Sequence, residues 1–459
     1  MKKYYFKGIL QNTSWLKNTG ISVDAQGIIH DIFSFDPEKI VKESISGYAI
    51  PGFQNAHSHA FQYAMAGLAE KHVGNGLSDD FWGWREAMYQ LALSMNPDQM
   101  EAIATMLYSE MARHGYTNVA EFHYVHHDKN GKQYNNLAEM GSRLISAAKT
   151  VGIGITLVPI FYQKGGFGKG PNDRQKRFIS PTIDAYLKLL EASNESCKDY
   201  EHANIGVGIH SMRGVEPNDI AEIARYGPQN IPFHIHVSEQ LNEIKDSVAY
   251  LGKRPVEWLL DNVDLSNRFH LVHATHLTNE ETIGIAKSNA NVVLCPSTEG
   301  NLGDGLFPLN RYQEAGGKWS IGTDSHIGIN PLEELRILDY GQRLITHKRN
   351  TFNSSQQGDS GSYAIEMATL TGRKAMNNFN SDFFAIGTPL NACILDDSAP
   401  LIASSSLENL SSTIVYASDS SMQSGTISHG KMIVSNSVHS KQNDIREQFS
   451  KTITKLKNR

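Results

Sequence analysis

Two rhythms of hydrophobic and polar positions alternate through most of this chain. Short runs rich in β-branched and aromatic residues fall at 49–55, 117–124, 154–162, 205–211, 232–238, 269–273, 291–296 and 318–324. Between them lie longer stretches whose apolar residues recur at three- and four-residue spacing. The first pattern predicts strands and the second predicts helices. Eight strand–helix alternations exceed what an open doubly wound sheet usually holds and predict a closed parallel (β/α)8, TIM-like barrel. One of the helices is specified at both ends. Asn96 suits its N-cap, Pro97 its first position and Gly115 its exit, while Met100, Ile103, Ala104, Leu107 and Met111 form one apolar stripe.

The two ends of the chain read differently. Ile21-Ser-Val and Ile28-Ile-His-Asp-Ile-Phe flank the turn signal Asp24-Ala-Gln-Gly27, and strand-like runs return at Cys393-Ile-Leu, Thr413-Ile-Val-Tyr-Ala and Lys431-Met-Ile-Val-Ser. These predict a small β-sandwich built from residues 1–50 and 385–435, flanking a barrel at 51–384. Residues 436–459 predict a helix, with Asp444 and Glu447 as a capping box and Ile445, Phe449, Ile453 and Leu456 on one face, docking on the body or on a second subunit. The Ser-rich stretch 404–424 reads as surface loop.

At 459 residues and 40% hydrophobic content, the chain can bury a large core. A net charge of -6 gives no broad basic field, which excludes nucleic acid and anionic membrane as expected partners. The N-terminus lacks the apolar run of a secretory signal, and no stretch reaches membrane-spanning length, so a cytoplasmic protein is expected. Cys197, Cys295 and Cys393 are widely spaced and odd in number, which points to buried thiols in a reducing compartment.

Barrel enzymes carry their chemistry where the strands end. Here the first strand ends in His57-Ser58-His59, two imidazoles that extended backbone turns to the same side. The fifth carries His236 with Glu239 three residues on, the sixth ends in His273 and the eighth in Asp324. One such histidine would ordinarily be a satisfied interior residue. Agreement among four strand ends points to a metal site, and three imidazoles with one carboxylate and a water suit zinc.

In this order on eight βα units, these motifs resemble the metal-dependent amidohydrolase superfamily. Longer stretches, namely Asn55-Ala-His-Ser-His-Ala-Phe-Gln62, Phe81-Trp-Gly-Trp-Arg85, Val119-Ala-Glu-Phe-His-Tyr124, Arg254-Pro-Val-Glu-Trp258 and Asn301-Leu-Gly-Asp-Gly305, resemble its N-formimino-L-glutamate deiminase family, which acts in bacterial histidine degradation. The resemblance runs nearly end to end and loosens around Cys393. It implies one zinc ion per chain, held by His57, His59, His236 and Asp324, and a hydrolytic deimination. Asp324 would accept the water proton as well as bind the metal, Glu239 would carry a proton to the departing nitrogen, His273 would orient the attacking water, and Gln62 would meet the formimino nitrogen. A substrate with two carboxylates calls for cations, and Arg213 and Arg85 are the expected partners, with Tyr124 and His210 adding single hydrogen bonds. The resemblance also implies a homodimer. The competing readings are an aminohydrolase acting on a nucleobase or nucleoside ring amidine, which would share the metal site, and a non-catalytic metal-binding barrel.

Three further features are expected to be structural. Gly165-Gly-Phe-Gly-Lys-Gly170 reads as a loop near the site, since no Lys-Ser/Thr pair follows it to open a helix. His126 and His127 read as loop packing, and His234 as a barrel-interior residue bonded to a neighbour. Trp82 and Trp84 would either shield the site from water or pack a loop.

Overall fold

The computed structural model describes residues 1–12, 14–42, 45–70, 81–355 and 357–457, with residues 45 and 81–83 described by their backbone alone. Eight parallel strands form the barrel. They are Phe53–Ser58, Tyr116–His123, Gly154–Phe161, a fourth made of Ala203–Ile205 and Val207–Ile209, then Phe233–Val237, Phe269–His273, Asn291–Leu294 and Lys318–Ile321. Strands such as Gly154–Phe161 are buried at every position, as expected where both faces of a parallel sheet are covered. The first and eighth strands close the ring through a parallel bridge between Ser58 and Asp324. The His57 carbonyl accepts from both Thr323 N and Asp324 N at 3.0 Å, and His59 N donates to the Asp324 carbonyl at 3.1 Å.

Strands from the two ends of the chain meet in one eight-stranded sheet, in the order Val438–His439, Lys431–Ser435, Gln423–Ser428, Ala392–Leu395, Ile45–Pro51, Lys2–Gln11, Ser14–Val23 and Ile29–Ser34. All neighbours are antiparallel except Lys2–Gln11 beside Ile45–Pro51. The run expected as the first barrel strand at 49–55 is therefore divided between two sheets. Its first part pairs with Ala392–Leu395, and its remainder enters the barrel after Gly52. A Cβ at Gly52 would lie 2.4 Å from the Thr117 side chain, so only glycine lets the chain pass so close to the second barrel strand.

Two local expectations are corrected. Residues 413–417, expected as a strand, lie in the helix Leu410–Ala417, where Leu410, Ile414 and Val415 bury one face beside the helix Ser360–Lys374. Packing on that neighbour overrides the strand preference of the β-branched run. The terminal helix Gln442–Leu456 starts before the expected box. Asp444 sits in its first turn, where a negative charge suits the helix dipole, and Glu447 pairs with Lys451 at 2.5 Å. This helix docks on Pro97–Arg113, with Phe449 also reaching Tyr63 at a ring separation of 5.6 Å.

The helix Pro97–Arg113 forms around its expected signals. Asn96 Oδ1 accepts from Gln99 N at 2.9 Å, Gln99 Oε1 accepts from Asn96 N at 2.9 Å, and Gly115 takes the left-handed φ of 84°. Asn96→Ala removes the reciprocal cap. It is expected to lower stability by about 1 kcal/mol in urea unfolding while leaving the barrel site intact.

Candidate metal centre and active-site pocket

Strand alternation turns His57 and His59 inward while Ser58 faces outward, and the register of the barrel brings them to His236 and Asp324. His57 Nε2 lies 3.0 Å from His236 Nε2 and 3.5 Å from Asp324 Oδ1, and His59 Nε2 lies 3.2 Å from the same oxygen. A tetrahedral ion with ligands at zinc-like bond lengths spaces its donors about 3.3 Å apart, so these separations fit one divalent ion. The protonation states fit as well. Burial, opposed by Asp324, pushes His57 down to about 3, and burial with the neighbouring histidines holds His236 well below the usual range, so both present lone pairs at neutral pH. His59 Nδ1 sits 2.8 Å from the Phe122 carbonyl, which can only accept; that nitrogen therefore carries the proton and Nε2 is left as the donor of a lone pair. Burial disfavours charge on Asp324, but the surrounding imidazoles of His57, His59 and His273 outweigh it and hold the carboxyl well below its ordinary value.

Beside this cluster stands an acid–base group. His273 Nε2 lies 3.7 Å from Asp324 Oδ2 and 3.9 Å from Glu239 Oε1, while its Nδ1 lies 3.2 Å from Glu299 Oε1. Burial works against a charged His273, yet Glu239, the Glu299 hydrogen bond and Asp324 together raise it to about 10. Glu239 Oε2 also meets Arg213 at 3.5 Å. The backbone amides of Ser238 and Glu239 donate to Glu243, a buried carboxylate in the first turn of the helix Leu241–Leu251.

A cavity of about 710 Å³ opens over these groups and is lined by Gln62, Arg85, Tyr124, His210, Arg213 and Glu239 among others. Gln62 Nε2 donates to the Tyr124 hydroxyl at 2.9 Å, and Gln62 Oε1 is buried without a partner among the described residues. Arg85 lies on the helix Phe81–Ser94 within the connection after the first barrel strand, and donates to the Tyr89 hydroxyl at 2.9 Å. His210 ends the fourth strand with Nδ1 2.9 Å from Ser211 Oγ, kept neutral by burial and by Arg213 and Arg85. Trp84 lines the cavity, whereas the side chain of Trp82 lies outside the described residues.

The three histidines expected to be structural bond backbone carbonyls, and the glycine-rich loop borders the cavity. His126 and His127 bond the carbonyls of Ile160 and Ile179, and His234 bonds that of Ala375 at 3.0 Å, beneath the site. Gly165, Gly166, Phe167 and Lys169 line the cavity mouth. Sequence reasoning missed Glu121, Glu243 and Glu299, three buried carboxylates that hold the groups around the cluster. An acidic residue set within an otherwise apolar strand, as in Val119-Ala-Glu-Phe122, was the available signal for the first of them.

Comparison with known proteins gives a consistent result. Formimidoylglutamate deiminase of Pseudomonas aeruginosa is 38% identical over 99% of this chain and 100% of its own length. A 5-methylthioadenosine/S-adenosylhomocysteine deaminase of Haloarcula marismortui is 23% identical over 85% of this chain and 82% of its own. Among solved structures, an amidohydrolase from Brucella melitensis superposes with a TM-score of 0.92 at 38% identity, covering 99% of this chain and all of that one. A zinc-bound adenosine deaminase from Xanthomonas campestris shares the fold, with a TM-score of 0.80 at 18% identity over the whole of this chain and 98% of its own. With the amidohydrolase family model matching residues 48–433 and relatives at 38% identity from end to end, this chain belongs to the amidohydrolase family.

Proposed function

We propose that this chain hydrolyses N-formimino-L-glutamate to N-formyl-L-glutamate and ammonia, a step of histidine degradation, with one zinc ion held by His57, His59, His236 and Asp324. The observation that carries this reading is one cavity holding both the donor cluster and two guanidiniums, Arg85 and Arg213. The end-to-end relative named formimidoylglutamate deiminase supports it. A ring-amidine substrate gives no reason for two such cations.

When bound, zinc supplies Lewis acidity that makes a water nucleophilic near neutral pH. The protein's own groups do the rest. Water attacks the formimino carbon, Asp324 and Glu239 take up its two protons in turn, and both pass by way of Glu239 to the departing nitrogen, so that the carbon–nitrogen bond breaks, ammonia leaves and the formyl carbonyl remains. Protonated His273, held by Glu299, faces the charge that develops as the carbon becomes tetrahedral. The formimino N–H groups satisfy Gln62 Oε1, whose buried lone pairs otherwise face no donor among the described residues. Arg213 grips one substrate carboxylate and Arg85 the other, with Tyr124 and His210 completing the polar contacts.

The deciding assay supplies zinc-loaded protein with N-formimino-L-glutamate or with adenosine derivatives, reads ammonia, and identifies the product by NMR. Turnover of the first alone, with formylglutamate as product, is expected; turnover of a nucleoside instead removes the carboxylate pocket and keeps the metal chemistry. Glu239→Gln is expected to lower kcat by roughly 10²- to 10⁴-fold with metal content unchanged. His236→Ala, in contrast, should bring metal below one per chain by atomic emission. Arg213→Lys keeps the charge but loses the planar fork. It is expected to raise KM by about 10- to 100-fold, the equivalent of one charged hydrogen bond, with metal content unchanged.

A further inference from the structure

The metal ligands His57 and His59 are held from behind by a carboxylate that plays no part in the chemistry above. Glu121 projects from the second barrel strand and is 2% exposed. Its Oε1 accepts from Ala60 N at 2.6 Å, and its Oε2 accepts from the Ser58 hydroxyl at 2.6 Å and from the Tyr108 hydroxyl at 3.0 Å. Ser58 lies between the two histidines and Ala60 follows the second, so one carboxylate grips the ligand segment by a side chain and by a backbone amide. The next residue, Phe122, holds the His59 ring through its carbonyl at 2.8 Å. Two consecutive residues of one strand thus set the backbone and the ring orientation of the ligand pair.

The charge of Glu121 points the same way. Its three donors are neutral, and no lysine or arginine pairs with it among the described residues. A buried carboxylate in that condition is costly unless a positive charge lies within reach, and a cation held by His57 and His59, the residues on either side of Ser58, would supply one.

We propose that Glu121 is a positioning residue for the metal centre, fixing the His57-Ser58-His59 segment in its ligating geometry and lending a buried negative charge behind the ion. This rests on reading His57 and His59 as ligands and not on which amidine is the substrate.

The test measures zinc partition between the loaded enzyme and a chromophoric chelator at equilibrium, beside urea unfolding in excess chelator. Glu121→Gln can keep every hydrogen bond, because Oε1 accepts from Ala60 while the Ser58 and Tyr108 hydroxyls turn to accept from the amide; only the charge is lost. Glu121→Ala loses the grip as well. Zinc affinity is expected to fall by about tenfold in the first and about 100-fold in the second, the range usual for groups that orient metal ligands. Stability of the metal-free E121Q protein should stay near wild type. If either variant fails to fold, Ser58→Ala leaves the carboxylate in place and removes one of its two holds on the segment. It is expected to weaken zinc by a smaller factor, and the S58A/E121Q double variant by less than the product of the singles. Wild-type zinc affinity in the folded variants, or a loss confined to metal-free stability, overturns the proposal. Because zinc is read directly, failure here is distinct from finding no turnover of N-formimino-L-glutamate.

Discussion

Buried electron-pair donors that face one another without a positive charge between them repel, and the centre of this barrel is arranged around that repulsion. His57, His59 and His236 converge as neutral rings on an ionised Asp324, all less than a tenth exposed. Glu121, Glu239, Glu243 and Glu299 stand around them, equally buried. Like charges about 4 Å apart repel by roughly 4 kcal/mol at an effective dielectric of about 20, so such a group holds together only around cations. His273 and Arg213 supply part of that charge. A divalent ion at the donor cluster would supply the rest, and Glu121 shows what burial costs an acid there. Burial pushes its carboxyl up to about 7 against the pull of Ala60, Ser58 and Tyr108.

The backbone carries the same demand. Ser238, His273, Ala274 and Asp324 take left-handed φ values of 52°, 66°, 49° and 46°, at the ends of barrel strands five, six and eight. Each such residue costs on the order of 1–3 kcal/mol and persists only where its surroundings enforce it. Here the enforcing contacts are identifiable. Glu243 accepts the Ser238 and Glu239 amides, the Val237 carbonyl accepts Ala274 N at 3.0 Å, and the His57 carbonyl accepts Asp324 N at 3.0 Å. The bonds that close the barrel between its first and eighth strands are therefore also the bonds that turn Asp324 towards His57 and His59.

Much of this was legible in the chain because it rests on short-range rules. Strand alternation places His57 and His59 on one side whatever surrounds them, and the Asn96 cap and Gly115 exit are set by local backbone chemistry. Where tertiary contacts decide, the chain is a poorer guide. Residues 413–417 carry strand-like side chains, yet a helix lets Ile414 and Val415 share a buried face with Leu410. The run at 49–55 holds a break signal in Pro51-Gly52, but what makes that break a passage from one sheet to the next is the close approach to Thr117 some 65 positions on.

The same distinction separates the groups that bind or react from the groups that hold them. A candidate ligand set announces itself by residue type when several strand ends carry a histidine or an aspartate together. Glu121, Glu243 and Glu299 have no such mark; what defines each is the donor it meets, backbone amides and hydroxyls for the first two and the His273 imidazole for Glu299. Ser58 and Ala60 come 63 and 61 positions before Glu121, and His273 comes 26 before Glu299. Only the closed ring of strands makes such pairs neighbours. The chemistry of the site can be read from composition at the strand ends, but its rigidity is a property of the barrel.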